Sequence, residues 1–399
     1  MEKALVIAIA WVLAAQSLAV SSIRTSAAAR AAYLARATIW RDPGALSPTD
    51  VLAGPPGALP YTFEQATSDA GIACAFAQPG KELGGGTAKF LCRTTDGRYL
   101  RLKYWNPEAG RGNREVFASV AASRLMRALG FDAVPALSVT VSCNNCPENP
   151  HEGTGELRTR RYIAMLQAAW PSPVILSSGD VNQGWSWKEL EMAIQSLPPG
   201  LERTRQRMHF DALTLLGVFV QHGDRKGEQQ RLYCASEVDA TAGEMIAGKG
   251  NVTRTLLLEH AGASACAAPA VAIADVGATF GGAGRTSSDA TAAMNLEKWT
   301  RKRVFAETSG IDCRGELTVS FKAGQEGEGN PTISEEGRRF LLEQLHRLSP
   351  DHVRAIFKAA RVDDLQSRGS RQPGGIDAWV GAFQDKVRQI ERQRCQPAH

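Results

Sequence analysis

The stretch from Gln221 to Arg231 constrains the fold of this chain more than any other part of its sequence. An apolar run at 215–220 leads directly into charged and amide side chains, and residues 231–234 then read as a strand. Helical spacing before the polar stretch and strand-forming residues after it predict a helix, a loop and a strand in that order. The loop concentrates side chains that can move protons, carry charge or bind a metal: His222, Asp224, Lys226 and Gln229.

A glycine-rich hairpin lies upstream of this loop. A strand ending at Cys92, a turn at Asp96-Gly97 and a second strand over 98–104 form the predicted hairpin, and Lys103 lies near its end. Glycines let backbone amides approach a phosphate closely, although a run of three is more commonly a flexible turn. The glycines before the first strand are Gly84, Gly85 and Gly86.

An amphipathic helix follows the hairpin. Asn113 suits its N-cap, an apolar stripe runs from Val116 to Leu129, and Gly130 ends it. Glu115 lies in the first turn and has two interpretations. Its carboxylate is favoured there by the helix dipole alone, or it pairs with Lys103 and holds that lysine in place.

An Asp-x-Gly turn lies downstream of the polar loop. The strands predicted at 231–234 and 271–273 pair in this interpretation, with residues 235–270 as an insertion between them. The second strand leads into Asp275-Val276-Gly277. Asp-x-Gly alone is a common turn, but its position one strand pair after the loop brings a second carboxylate towards Asp224.

These motifs, taken in order, resemble the protein-kinase superfamily. The loop from His222 aligns with H-R-D-x-x-x-x-N, and Asp275-Val276-Gly277 resembles D-F-G with valine in place of phenylalanine. The resemblance covers about residues 80–285. It is nearest to atypical branches, namely HipA-like, phosphoinositide-4-kinase-like and secretory-pathway kinases, and to uncharacterised exported bacterial proteins that carry an H-x-D-x-K-x-E-[NQ]-Q-R loop.

The resemblance implies a role for each residue in transferring phosphate from ATP. Asp224 would orient and deprotonate an acceptor hydroxyl, and Lys226 would stabilise the moving phosphoryl group. Lys103 would hold the α- and β-phosphates. The implied catalytic residues are His222, Asp224 and Lys226; the cofactor-binding residues are Lys103, Glu115, Gly84, Gly85 and Gly86; the ligands of Mg²⁺ or Mn²⁺ are Asp275 and Gln229.

Two further departures from the kinase pattern concern the metal site and the substrate platform. Gln229 is one methylene longer than the usual asparagine, and no A-P-E motif follows Asp275. The first hypothesis is therefore an exported atypical kinase acting on a hydroxyl of a protein, lipid or small molecule. The alternatives are a catalytically inactive pseudokinase and a disulfide-stapled cell-envelope interaction protein without a nucleotide site.

The N-terminus predicts export. Lys3 precedes an apolar run, 4–15, and small residues continue to Ala19, which is typical of a secretory signal peptide over 1–19. The alternative is an uncleaved membrane anchor over 4–20. Either form places the protein in the periplasm, outside the cell or on the envelope.

Export changes how the cysteines are interpreted. The even count of eight cysteines favours disulfides in an oxidising compartment. Cys143-x-x-Cys146 has no second cysteine pair or histidine pair nearby, so a disulfide is favoured over zinc. Cys234 and Cys266 flank the 235–270 insertion and are plausible partners.

The order of predicted strands and helices indicates an α+β class, and the resemblance implies a two-lobed, protein-kinase-like fold. A net charge of +5, without aromatic residues among the basic clusters, gives no reason to expect a nucleic-acid partner. Residues 20–60 are expected to be a linker, because 41–60 is rich in proline. The further assignments are a β-rich lobe with one helix at 61–170, strands at 136–142 and 162–166, a mainly helical lobe at 171–399, and helices at 187–197, 208–220, 334–348, 350–360 and 376–392.

Overall fold

The computed structural model combines a closed β-barrel, a second sheet and helices, which confirms the α+β class. The signal peptide at 1–19, the glycines at 84–86 and the N-cap Asn113 lie outside the described residues. The described residues are 20–79, 83, 87–105, 114–168, 173–180, 182–238, 244–247, 256–281, 293–307, 311–317, 330–367 and 375–396.

The barrel consists of five strands. Its strands, in barrel order, are β2 (Ile72–Ala77), β3 (Lys89–Thr94), β4 (Tyr99–Trp105), β6 (Arg158–Gln167) and β5 (Ala136–Cys146). Neighbours are antiparallel except for the parallel β2–β5 pair, which closes the barrel. The rings of Phe90, Tyr104 and Tyr162 fill the interior, with centroids 5.0–5.6 Å apart. The predicted β3–β4 hairpin is confirmed, and Gly97 takes a φ of +85° in its turn.

Helix α4 (Glu115–Ala128) packs against the outside of this barrel. It contacts β4, β5 and β6 on one side and two other helices, α2 (Pro48–Ala53) and α9 (Pro350–Ala359), on the other. Gly130 follows the end of the helix, as the sequence predicts, and its φ of +85° is the left-handed conformation that commonly ends a helix. Since α4 is enclosed on both sides, Glu115 at its N-terminus has a fixed position relative to the barrel.

Outside the barrel, the chain contains more β-sheet than the sequence predicts. The expected pairing of β8 (Gln230–Cys234) with β11 (Pro269–Ile273) is confirmed, and the two strands run antiparallel. These two strands belong to a six-stranded sheet in the order β11-β8-β7-β1-β10-β9. The additional strands are β7 (Val174–Leu176), β1 (Val20–Arg24), β10 (Leu256–Glu259) and β9 (Glu244–Ala247), so the 235–270 insertion supplies two of them.

Helices surround this second sheet. Four predicted helices are confirmed within two residues at each end, while the helix predicted at 208–220 begins seven residues earlier. The helices not yet given are α1 (Ala27–Ala35), α3 (Phe63–Thr67), α5 (Trp187–Gln195), α6 (Leu201–Phe219), α7 (Leu296–Arg301), α8 (Glu335–His346), α10 (Val362–Ser367) and α11 (Gly375–Arg392). A helix long and apolar enough to cross a membrane does not occur in the described part of the chain.

The expected linker at 20–60 is wrong. Strand β1 lies inside the six-stranded sheet, between β7 and β10, and Ile23, Tyr33 and Leu34 are at most 1% exposed. Pro48 does not break structure here, because it occupies the start of α2, where the missing N–H is not needed. A capping box between Ser47 and Asp50 completes that helix start.

Disulfides pair all eight cysteines of the chain. The expected Cys143–Cys146 and Cys234–Cys266 bonds are confirmed. Cys74–Cys92 joins β2 to β3, and Cys313–Cys395 ties the chain's C-terminal segment to residue 313. Four disulfides fit an oxidising environment outside the reducing cytoplasm.

The packing of residues 20–60 predicts a large effect for a substitution there. Replacing buried Leu34 by alanine should lower the free energy of unfolding by about 2–5 kcal/mol, because a core cavity is created. Leu46→Ala is the matched control, since Leu46 lies in the same stretch but is 36% exposed. Denaturant unfolding of both variants would measure this, and equal, small losses would show that the stretch is an unpacked linker after all.

Candidate functional site

The site is centred on an ion pair between Lys103 on barrel strand β4 and Asp275 in the turn that follows β11. Lys103 Nζ lies 3.2 Å from Asp275 Oδ2, although the two residues are 172 positions apart. Burial opposes the charge of Lys103, but Asp275 and Glu115 outweigh it and raise the pKa of the lysine. Burial likewise disfavours the charged Asp275, yet Lys103 and the Gly277 N–H hold its pKa below the usual value. Both groups are therefore charged at neutral pH.

Glu115 lies beside this pair. Its Oε2 accepts a hydrogen bond from Thr87 Oγ1 at 2.6 Å. Burial, followed by the charge of Asp275, raises the pKa of Glu115, while Lys103 opposes that shift. A Cβ placed on Gly277 would lie 3.1 Å from Glu115 Cβ, so the Asp-x-Gly turn sits directly against the start of α4. The structure thus brings Lys103, Glu115 and Asp275 into one electrostatic cluster.

The polar loop begins where α6 ends. His222 is fully buried, its N–H donates to Gly217 O at 2.7 Å, and its ring nitrogens have no hydrogen-bond partner among the described residues. Burial, together with nearby Arg225, lowers the pKa of His222 to about 4. The imidazole is consequently neutral at neutral pH and packs inside the loop. Arg225 turns away from the cluster and stacks on Trp187, with its guanidinium carbon 3.5 Å from the ring centroid.

Asp224 lies half-buried at the mouth of the loop. Lys226 Nζ is 3.7 Å from its Oδ1, and Gln229 Nε2 donates to its Oδ2 at 3.5 Å. Burial raises the pKa of Asp224, Lys226 lowers it, and Asp275 raises it further. This interaction with Asp275 shows that the two carboxylates are within electrostatic range of each other.

Main-chain hydrogen bonds hold the loop against the Asp-x-Gly turn. Gln229 O accepts from Ala274 N at 3.0 Å and from Asp275 N at 3.4 Å. Phe280 N donates to Val220 O at 2.6 Å, which joins the other end of the loop to the chain after the turn. On the barrel side, Gln167 Nε2 donates to Ala274 O at 2.6 Å. The β8–β11 pairing therefore sets the distance between the two motifs.

Oxygen atoms near the Asp-x-Gly turn are suitable ligands for a hard divalent cation. Carboxylate and amide oxygens such as those of Asp275 and Gln229 are ligands that Mg²⁺ accepts. Asp224 Oδ1 is also buried and has no hydrogen-bond partner in the described part of the chain. No group of three His, Cys, Asp or Glu side chains among the described residues could hold a metal ion. A magnesium ion here would need phosphate oxygens as additional ligands, which is its usual mode in nucleotide sites.

Two residues of this cluster were missed from the sequence. Lys89 pairs with Lys103 across the β3–β4 hairpin, is 2% exposed, and lies within electrostatic range of Glu115 and Asp275. Thr87, two residues earlier, bonds to Glu115. A turn at Asp96-Gly97 fixes the hairpin register, so counting outwards from it would have placed Lys89 opposite Lys103.

Gly184 lies against the C-terminal end of the polar loop, residues 221–231. A Cβ at this position would lie 1.7 Å from Gly227 O and 2.3 Å from Gln230 O. Beside it, Trp185 Nε1 donates to Arg231 O at 3.1 Å. Only glycine fits where the chain before α5 crosses the end of the polar loop.

A separate cleft lies on the far side of α4. It has a volume of about 790 Å³, and its walls come from residues 41–65 and from Arg124, Arg127 and Phe131. None of the predicted catalytic, nucleotide or metal residues lines it. The cleft is therefore distinct from the Lys103–Asp275 cluster.

Comparisons with known proteins find similar solved structures but no matching family model or curated protein. No protein-family model matches the sequence, and no curated protein matches it significantly. Among solved structures, the chain is similar to the Helicobacter pylori proinflammatory kinase CtkA, with a TM-score of 0.34, 10% identity, and coverage of 80% of this chain and 94% of that one. It is also similar to the golgi casein kinase, with a TM-score of 0.27, 11% identity, and coverage of 84% and 77%. TM-scores this low do not establish a shared fold.

The close approach at Gly184 leads to a testable prediction. Gly184→Ala should destabilise the protein by about 2–3 kcal/mol, because the new methyl group overlaps backbone oxygens that cannot move independently. Gly179→Ala is the matched control, since no atom lies within 4 Å of its added Cβ, and its change should stay within about 0.5 kcal/mol. Denaturant unfolding measures both, and a Gly184→Ala protein as stable as the control would contradict the described contact.

Proposed function

We propose that this protein is an exported atypical kinase-like phosphotransferase that uses ATP and a divalent metal to phosphorylate a hydroxyl acceptor. The observation that carries the proposal is the 3.2 Å Lys103–Asp275 ion pair, with Asp224 within electrostatic range of Asp275. Three motifs that are far apart in sequence meet at this point. They supply a cation for phosphates, a carboxylate for metal and a second carboxylate for an acceptor.

The proposed division of roles follows from the surroundings of each group. Asp275 is ionised and would bind magnesium, which requires a charged oxygen ligand. Lys103 would move from Asp275 to the nucleotide phosphates as they and the metal enter. Asp224, whose pKa is raised by burial, would accept the proton of the acceptor hydroxyl. The bound metal would neutralise charge on the terminal phosphates.

The lobes of a kinase are also part of the proposal. The barrel with α4 would be the N-lobe, within 61–170, and the six-stranded sheet with its helices would belong to the C-lobe, 171–399. The Lys103–Asp275 pair would then bridge the cleft in which a nucleotide binds. Residues 20–60 contribute β1 to the sheet and α2 to the packing of α4, so they belong to the folded unit in this proposal.

One contact favours the alternative of a pseudokinase that binds nucleotide without turnover. The Gln229 amide donates to Asp224 at 3.5 Å. The Gln229 N–H competes with an acceptor hydroxyl for this carboxylate, although the amide oxygen takes no part in the contact. Turnover would require the Gln229 N–H to give way to the acceptor hydroxyl at Asp224.

Metal-dependent nucleotide binding is the test of the proposal. ATP with Mg²⁺ should raise the melting temperature of the protein, since a ligand at 100 times its Kd stabilises the folded state by about 2.7 kcal/mol. Asp275→Asn should abolish the shift, because the metal ligand is lost. Asp69→Asn, at a fully exposed position, is the matched control and should keep it. An unchanged melting temperature of the wild-type protein would reject both the kinase and the pseudokinase.

Asp224→Asn separates these two functions. The variant should keep the ATP-dependent shift in either case, because Asp224 is not assigned to nucleotide binding. If the wild-type protein is a kinase, it releases or transfers phosphate from ATP at a rate that this variant reduces at least a hundredfold. A wild-type protein that binds ATP without any such turnover is a pseudokinase.

A further inference from the structure

The cleft between residues 41–65 and α4 is large and has mostly apolar walls. Its volume of about 790 Å³ lies within the range of pockets that enclose small organic ligands. Leu59, Tyr61 and Phe63 are half-buried on one side, so part of their apolar surface remains available to a ligand. Phe131 and Leu137 contribute to the other side.

Arg124, on α4, is the buried cation of this cleft. It is 3% exposed, and its Nη2 donates to Ala53 O at 3.1 Å, at the end of α2. Its Nε and Nη1 have no hydrogen-bond partner, and no carboxylate of the described residues forms an ion pair with it. Burial, with nearby Arg127 adding to the effect, lowers the pKa of Arg124 to about 10. The guanidinium is therefore charged at neutral pH.

The backbone at Gly54 makes room for this guanidinium. Gly54 has a φ of +82°, and a Cβ at this position would overlap the Arg124 guanidinium. Glycine is thus required both by the backbone conformation and by the close approach of the arginine. The chain leaves space here for a charge that has no counterion among the described residues.

The carboxylates on the walls of the cleft are engaged with other groups. Their hydrogen-bond pairs are Asp132 with Tyr233, Asp50 with Ser47, and Asp42 with Arg347. Arg124, in contrast, is bonded only to a neutral carbonyl oxygen among the described residues. A buried charge without a counterion is unfavourable, and an anion in the cleft would offset that cost.

We propose that this cleft binds a small amphipathic anion, whose carboxylate or phosphate group lies beside the Arg124 guanidinium and whose apolar body lies along the apolar walls. Arginine suits this role because its planar fork of N–H donors matches the oxygen atoms of both groups. No residue of the Lys103–Asp275 cluster lines the cleft, so the site does not depend on the proposed phosphotransfer.

Titration calorimetry with alkyl probes of equal length tests the site on the wild-type protein. Octanoate or octyl phosphate should bind with a Kd of about 100 μM or lower, and octanol, which lacks the charge, about tenfold more weakly. Comparison of the two anions shows whether a carboxylate or a phosphate is preferred. Absence of binding by both anions would overturn the proposal, and so would octanol binding as tightly as the better anion.

Arg124→Met locates the binding in the cleft. It should weaken binding of the better anion about tenfold and leave octanol binding unchanged, because the cation is lost while the apolar walls remain. Arg124→Lys keeps a cation and should bind that anion more tightly than Arg124→Met does. Arg93→Met is the control, since Arg93 is exposed and does not line the cleft, and it should bind as the wild-type protein does.

Two results with the variants would contradict the role of Arg124. Wild-type affinity of Arg124→Met for the anion would place the binding elsewhere on the molecule. Equal losses for the anion and for octanol would show that the substitution damages the cleft and does not remove a specific charge contact. The comparison of charged and neutral probes on the wild-type protein needs no variant, so it remains decisive if Arg124→Met does not fold.

Discussion

The ion pair between Lys103 and Asp275 is the interaction on which the candidate site depends. It joins a barrel strand to the turn after β11, and both partners are largely withdrawn from water. Removing two charges from water is costly, and leaving either one without its partner costs more. The pair therefore favours one relative position of the barrel and the Asp-x-Gly turn. Glu115 and Lys89 lie within electrostatic range of this pair.

Main-chain contacts fix much of the geometry around the Lys103–Asp275 pair. The antiparallel β8–β11 pairing and the two amides that donate to Gln229 O hold Asp275 beside the loop that contains Asp224. The backbone at Gly184 leaves no room for a Cβ, and a Cβ on Gly277 would lie only 3.1 Å from Glu115 Cβ. Since these restraints involve main-chain atoms, the side chains of the site can change partners without loss of the scaffold.

Local patterns in the sequence predict most of the site's supporting elements. Period-two alternation and the Asp96-Gly97 turn predict β3 and β4, and the apolar stripe predicts α4. The same patterns cannot show that Lys103 pairs with Asp275, because such a contact depends on tertiary packing. Lys89 was missed for a related reason: a lysine at the start of a strand is expected to be exposed, and its burial depends on tertiary packing.

The linker prediction for residues 20–60 was wrong because proline occurs both in linkers and at the first position of helices. Prolines at 43–60 suggested a linker, yet Pro48 starts a helix, and β1 adds a strand to a sheet whose other members come from far along the chain. A strand of five residues with parallel partners at 174–176 and 256–258 leaves no local trace of that pairing. The position of β1 in the sheet therefore could not be predicted from the sequence.

The Cys74–Cys92 bond turns the chain between β2 and β3 into a covalent ring. Lys89, Thr87 and the three glycines all belong to this ring by sequence. A protease that cut once inside the ring would leave both ends attached to the barrel, so the fragments would stay together until the disulfide was reduced. In an oxidising environment, where reductants are scarce, such a ring would keep the two sides of a single cut covalently joined.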